Sequence, residues 1–276
     1  MTRTLSVDAA TMLRVERHET LAHAIPSREV RDLGDALVLY DPQDRDAFWN
    51  RMVRVRWPEA PAAFERRLAE SLALFSLLDR QPHVWPSPAH AGPPDLAERL
   101  RDHGFLEIAR GHLMVLDDPA SCPPLGPRDL PLGVDVRTIA APADASGREV
   151  EDAALVLAES FEALPGRTAE LAAELRRTLD DPRVAVVLAT VDGEPAAVAK
   201  ATTFEGCTYL SSIGTRSRFR DRGLGRLVTR RAVEVGAAQR SDLTYLGVFS
   251  GNEPAQRLYR RLGFASIGES PDLLLT

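Results

Sequence analysis

Lysine is almost missing from this chain: Lys200 is the only one among 34 basic residues. Codon bias in a GC-rich genome produces that pattern, so the many arginines do not by themselves identify a phosphate or nucleic-acid partner. Long apolar runs are missing too. No stretch approaches the roughly 18 uninterrupted apolar residues of a membrane span, and residues 1–20 lack the apolar core of a signal peptide. A cytoplasmic protein with no membrane partner is expected. The two cysteines, Cys122 and Cys207, are too few and too far apart for a disulfide framework or a metal pattern. Histidine ends at His112, so no histidine base can come from the later part of the chain. The spacing of the six histidines forms no zinc pattern either, and no metal is expected. A net charge of −6 speaks against general nucleic-acid binding.

What is present suits an ordinary globular protein, 44% hydrophobic and 27% charged. At 276 residues the chain can hold two domains. Five prolines between 117 and 133 make a stiff connector. The expected domains are 1–125 and 126–276.

The most telling run is Arg218-Phe219-Arg220-Asp221-Arg222-Gly223-Leu224-Gly225-Arg226. It follows a strand-like segment and opens an amphipathic helix. Glycines let the backbone turn so that successive N–H groups point at one spot. The start of a helix also favours an anion there. Backbone donors ringed by arginines point to diphosphate binding. No Gly-Lys-Ser/Thr follows, so this is not a Walker loop, and the third glycine of a dinucleotide fingerprint is missing.

A second segment lies downstream. Residues 244–249 read as a short buried strand. Asn252 is placed as a helix N-cap, Pro254 in the first turn, and a helix over 255–262 ends at Gly263. Together the two segments resemble the GCN5-related N-acetyltransferase (GNAT) family. Its motif Gln/Arg-x-x-Gly-x-Gly/Ala is matched by Arg220, Gly223 and Gly225. Its motif Asn-x-x-Ala-x-x-x-Tyr-x-x-x-Gly-Phe is matched by Asn252, Ala255, Tyr259, Gly263 and Phe264.

The resemblance implies an α/β (α+β) fold, a mixed central sheet with two splayed parallel strands flanked by helices. The later half reads in the family's order. A strand spans 134–139, helices 149–161 and 168–179, and a hairpin 185–191 and 196–203 turns at Asp192-Gly193. A third strand at 207–214, the glycine loop, a helix to about 238, a strand, a helix and a closing strand near Leu273 follow. The earlier half is less legible. A strand at 35–40, helices at 64–78 and 95–103, and a strand at 112–116 are expected. The helix ending His103-Gly104-Phe105 echoes the one ending at Gly263-Phe264. No Arg-x-x-Gly-x-Gly precedes residue 218. We therefore expect a tandem arrangement, with a degenerate GNAT-like half before an intact one. The alternative is an unrelated α+β domain.

By the same resemblance, acetyl-CoA is the co-substrate. Arg220, Arg222, Gly223, Leu224, Gly225 and Arg226 would hold its diphosphate. Ile213, Gly214 and Thr215 would meet the pantetheine amides, and Asn252 would contact the cofactor or cap its helix. Tyr259 would protonate the departing thiolate. The base is open: Glu205 is the candidate named first, with Glu162 and a water relay through Tyr209, Ser211 and Ser212 beside it. The implied activity is N-acyl transfer to a small-molecule or peptide amine by direct attack in a ternary complex, by a monomer or homodimer. The competing readings are an acyl-CoA-binding sensor without turnover and an interaction scaffold that binds no CoA.

Overall fold

The computed structural model describes residues 6–122, 125–126, 130–140, 147–162 and 166–276. The connector positions 123–124 and 127–129 lie outside the described residues. The chain forms two compact units. One comprises Met1–Met114, Gly247–Glu253 and Ala265–Thr276, the other Val115–Leu246 and Pro254–Phe264.

The second unit begins with β6 (Val134–Ile139), α4 (Gly147–Ser160) and α5 (Arg167–Leu179); β1–β5 and α1–α3 precede it in the first unit. Then come β7 (Val184–Val191), β8 (Glu194–Phe204), β9 (Cys207–Thr215), α6 (Leu224–Ala238), β10 (Leu243–Phe249) and α7 (Glu253–Arg261). The strand order is β10-β9-β8-β7-β6. The three contacts from β6 to β9 are antiparallel, whereas β9 and β10 run parallel. Both hairpins turn on a residue pair with positive φ, Asp192-Gly193 (50° and 81°) and Glu205-Gly206 (47° and 72°). Two left-handed residues in a row match the natural strand twist. Apolar positions at helical spacing on α4 (Val150, Ala153, Ala154) and α5 (Ala172, Leu175, Leu179) pack on Val186, Leu188 and Val198. Gly236 lets α6 lie close on β9, because a Cβ there would sit 2.2 Å from Thr208 Oγ1. Gly236→Ala is expected to destabilise the chain by about 1–3 kcal/mol through overpacking, read as a lower urea midpoint.

The first unit repeats this order in shorter form. It contains α1 (Ala9–Ala24), β1 (Glu29–Asp32), β2 (Leu37–Tyr40), β3 (Arg51–Val53), α2 (Pro61–Leu77), β4 (His83–Val84), α3 (Leu96–Asp102) and β5 (Leu106–Leu116). β1, β2 and β3 form an antiparallel meander, and β4 pairs parallel to β3. Meander, helix, parallel strand, helix and long strand therefore recur, as a GNAT-like first half requires. The alternative of an unrelated α+β domain would lack this sequence of elements. The closing strand β11 (Ala265–Leu274) is present where expected and lies between β4 and β5, pairing with β4 through Leu273↔Val84 and Leu274↔His83. The core of this unit gathers Trp57, Phe64, Phe75, Leu96, Leu100, Phe105 and Leu273.

α1, β1, β3 and β4 were not foreseen from the sequence. α1 starts cleanly, with the Asp8 carboxylate accepting from the Thr11 N–H at 2.7 Å. Its buried face, however, carries Glu16, His18, Thr20 and His23, which break the apolar period. Glu16 is held by Arg56 at 3.0 Å, and burial still pushes its carboxyl above the usual range.

Candidate active site

The site in the second unit is built on the far end of β9. On one side β9 pairs with β8 along its length, with an extra residue on β9 between Ser211 and Gly214. Ser212 takes a φ of +52° at that bulge. On the other side β9 pairs with β10 only through residues 207–210, ending at Leu246↔Leu210. Residues 211–215 continue as strand beyond the last pair. Ile213, Gly214 and Thr215 thus present backbone groups on an edge that no strand among the described residues pairs with. Gly214 is needed for another reason. A Cβ there would lie 2.7 Å from Ser160 Cβ at the end of α4, and Phe161 stands 3.5 Å away on the same side.

The chain leaves β9 at Thr215 and makes one 3-10 turn, Ser217–Phe219, whose buried Phe219 anchors the loop. Arg216 is buried and grips Glu159 with two nitrogens at 2.7 and 2.8 Å, holding that carboxyl below its ordinary range. It also donates to the Pro195 carbonyl at 2.7 Å. Arg216 lies just ahead of the recognisable motif, so no spacing in the sequence marks it. Arg218 pairs with Glu194 at 2.5 Å and so turns aside from the loop.

Arg220, Arg222 and Arg226 are exposed. Arg220 donates from Nε to the Thr215 carbonyl at 3.2 Å, tying loop to strand end. The Arg222 guanidinium lies 5.5 Å from the Phe219 ring centre. Gly223 precedes α6 with φ +77° and offers no side-chain cap. The first intrahelical bond runs from the Leu227 N–H to the Gly223 carbonyl. The N–H groups of Leu224, Gly225 and Arg226 therefore precede the helical ladder and need an outside acceptor. A Cβ on Gly225 would meet Leu258 Cδ1 at 3.3 Å and Thr215 Oγ1 at 3.4 Å, so this glycine brings α6, α7 and β9 together. An uncapped helix start, exposed guanidinium groups and an open strand edge fit a diphosphate joined to an amide-bearing arm.

Tyr259 follows Leu258 on α7 and is 6% exposed. Its ring lies 6.1 Å from that of Phe264. Burial pushes the phenol up to about 12. Gly263 has φ +98° and ends the helix as expected. Asn252 sits directly before α7 in the first unit, its N–H donating to the Phe249 carbonyl at 2.9 Å.

Glu205 lies exposed in the β8–β9 turn, where its charge acts on Arg183. It is at the opposite end of β9 from Thr215, about 27 Å of strand away. Glu162 is also exposed, with φ +52°. Two hydroxyls that the motifs do not include lie on the site's own elements. Ser160 Oγ and Ser211 Oγ are fully buried without a hydrogen-bond partner among the described residues. Ser211 is already among the relay residues named from the sequence, and Ser160 is not.

Among the described residues no helix is long and apolar enough to cross a membrane, and no His, Cys, Asp or Glu group is placed to hold a metal ion.

Residues 153–264 match the model of the Acetyltransferase (GNAT) family. No curated protein matches the chain. A GCN5-related N-acetyltransferase from Kribbella flavida is similar in structure, with 25% identity, a TM-score of 0.68 and coverage of 98% of this chain and 96% of that one. One from Sphaerobacter thermophilus gives 16% identity, a TM-score of 0.63 and coverage of 93% and 84%. A tandem GNAT protein from the clavulanic acid biosynthesis pathway gives 14% identity, 0.62, and coverage of 92% and 86%. The likeness to the last two is one of fold, and it spans both halves of this chain. The glycine loop, the splayed strand and the tyrosine-bearing helix all fall inside residues 153–264, the segment that matches the GNAT acetyltransferase family model.

Proposed function

We propose that the protein transfers an acetyl group from acetyl-CoA to an amine by direct attack within a ternary complex. The observation that carries this reading is the uncapped start of α6 beside the unpaired edge of β9. The Leu224, Gly225 and Arg226 N–H groups, with Arg220 and Arg222, hold the diphosphate. Backbone groups from Ile213 to Thr215 pair with the pantetheine amides and bring the thioester to the bulge.

There the amine nitrogen attacks the thioester carbonyl. The C–N bond forms, the C–S bond breaks, and the sulfur leaves as a thiol. Tyr259 supplies the proton to sulfur. A backbone N–H at the bulge stabilises the oxyanion that develops on the carbonyl. The amine's own proton leaves through water held by Ser211 and Ser160, whose hydroxyls have no hydrogen-bond partner among the described residues. On this reading Glu205 sets charge at the hairpin turn rather than acting as the base. No nucleophilic side chain is needed, since the amine is the nucleophile.

The test is calorimetric titration with acetyl-CoA, followed by CoA release across a panel of primary amines. Binding at micromolar concentration with amine-dependent thiol release supports the enzyme. Binding with no release from any amine favours an acyl-CoA sensor. No binding by the folded chain removes the acyl-CoA reading altogether.

A further inference from the structure

The first half has the same splayed strand pair as the second, and its gap is filled. In the second half the parallel pairing ends at Leu210, and Ser212, two residues on, has φ +52°. In the first half it is seen at Met52↔Val84, and Arg54, two residues on, has φ +54°. The match places Val55, Arg56 and Trp57 where Ile213, Gly214 and Thr215 stand.

On this edge lies Gly92, from the chain's own loop 86–93. Gly92 forms a parallel bridge with Arg56. The Trp57 N–H donates to the Gly92 carbonyl at 2.9 Å, and the Gly92 N–H donates to the Val55 carbonyl at 3.3 Å. The opposite edge is occupied as well, by the Arg56 N–H bonded to Asp35 at 2.8 Å. The fit is close. A Cβ on Gly92 would sit 3.0 Å from Arg56 Cα. The segment is pinned at other points: His90 Nε2 reaches the Val7 carbonyl at 2.9 Å, and Pro88 packs so tightly on Gly268 of β11 that a Cβ there would meet its carbonyl oxygen at 2.4 Å.

The anion end of the gap is closed too. Between Thr215 and the start of α6 the second half has room for the glycine loop. Between Trp57 and the start of α2 the first half has only Pro58, Glu59 and Ala60. α2 then opens on Pro61, which has no N–H to offer. The Glu59 carbonyl is taken by Arg99 at 2.8 Å.

We infer that loop 86–93, through Gly92, takes the place of an acyl-CoA arm in the first half, so that the chain binds one acyl-CoA and not two. The occlusion stands on the first unit alone. Only the comparison with the second half rests on the acyl-CoA reading above.

Amide hydrogen exchange on the full chain tests it, first without ligand and then with CoA. Without ligand, the Trp57 and Gly92 amides should exchange as slowly as those of the β2–β3 ladder. Exchange at exposed-loop rates would overturn the proposal. With CoA, the Thr215 amide should slow while Trp57 and Gly92 stay unchanged, and calorimetry should find one equivalent per chain. A change at Trp57, or two equivalents, would also overturn it. If CoA does not bind at all, the acyl-CoA reading fails, and the ligand-free exchange still decides the occlusion. Gly92→Val should speed exchange at Trp57 at least tenfold while the β9–β10 amides hold. An unaltered Trp57 rate in that variant would mean that the segment does not cover the edge.

Discussion

Gly223→Asp is expected to weaken acetyl-CoA binding at least 100-fold while leaving the fold intact. The argument begins with backbone conformation. Gly223 has φ +77°, where a side chain costs about 1 kcal/mol, although aspartate tolerates this region better than most residues. The new carboxylate would stand at the start of a 15-residue helix with three unladdered N–H groups, which attracts it by about 0.3–1 kcal/mol. The two effects nearly offset, so the thermal midpoint should move by only a few degrees. Binding has no such compensation. The carboxylate occupies the donors meant for the diphosphate and repels it. A 100-fold loss corresponds to about 2.7 kcal/mol, the scale of one or two charge-assisted hydrogen bonds. Arg220→Ala should cost less, near tenfold, because its guanidinium is exposed and already shares a bond with the Thr215 carbonyl. Titrations at two ionic strengths would separate the two. The wild type and Arg220→Ala should both weaken with salt, the variant less steeply. If Gly223→Asp binds as tightly as wild type, the diphosphate does not sit at this helix start.

How much was legible in the sequence depended on whether local chemistry or distant packing set each residue's task. The second unit was readable because its signals are local. Asp192-Gly193 demands a tight hairpin, Gly223 and Gly263 demand left-handed backbone, and apolar residues recur at helical spacing on α4 and α5. The first unit hides its plan. β3 and β4 are three and two residues long, too short to show alternation. α1 buries charged and polar groups that pair with residues far along the chain, such as Arg56 for Glu16. Gly92 gives no signal of its role in the sequence, because that role depends on Arg56 lying against it. The candidate site residues divide the same way. Gly223, Gly225 and Tyr259 stand in spaced motifs. The Ser212 bulge and the Arg216–Glu159 grip depend on a neighbouring strand and helix, and no spacing announces them. Glu205 is close in sequence to the third strand, and it stands in the hairpin turn at the opposite end of β9 from Thr215.

Tyr259→Phe is expected to lower kcat about 100-fold with little change in the Kd for acetyl-CoA. The phenol is buried on α7 and its acidity is reduced, with its proton held up to about pH 12. An ordinary thiol ionises near 8.5. Completed transfer from such a phenol to a free thiolate would be uphill, so the proton must move as the C–S bond breaks. The same burial that weakens the phenol as an acid also disfavours a thiolate beside it and narrows the gap. The loss on removing the hydroxyl should therefore sit at the lower end of the 10²–10⁴ range for general acids. The pH dependence has a definite sign. Below pH 10 the phenol is protonated in folded and unfolded chains alike, so it contributes no slope to stability. Between about pH 10 and 12 the folded chain keeps a proton that the unfolded chain has lost, and stability falls as pH rises. Tyr259→Phe should flatten that alkaline decline. In kinetics, no descending limb in kcat/KM should arise from Tyr259 below about pH 11, and any rising limb belongs to the acceptor amine or its proton relay. Should kcat stay at the wild-type value across this range, the sulfur takes its proton from elsewhere, and α7 supplies only packing against Gly225.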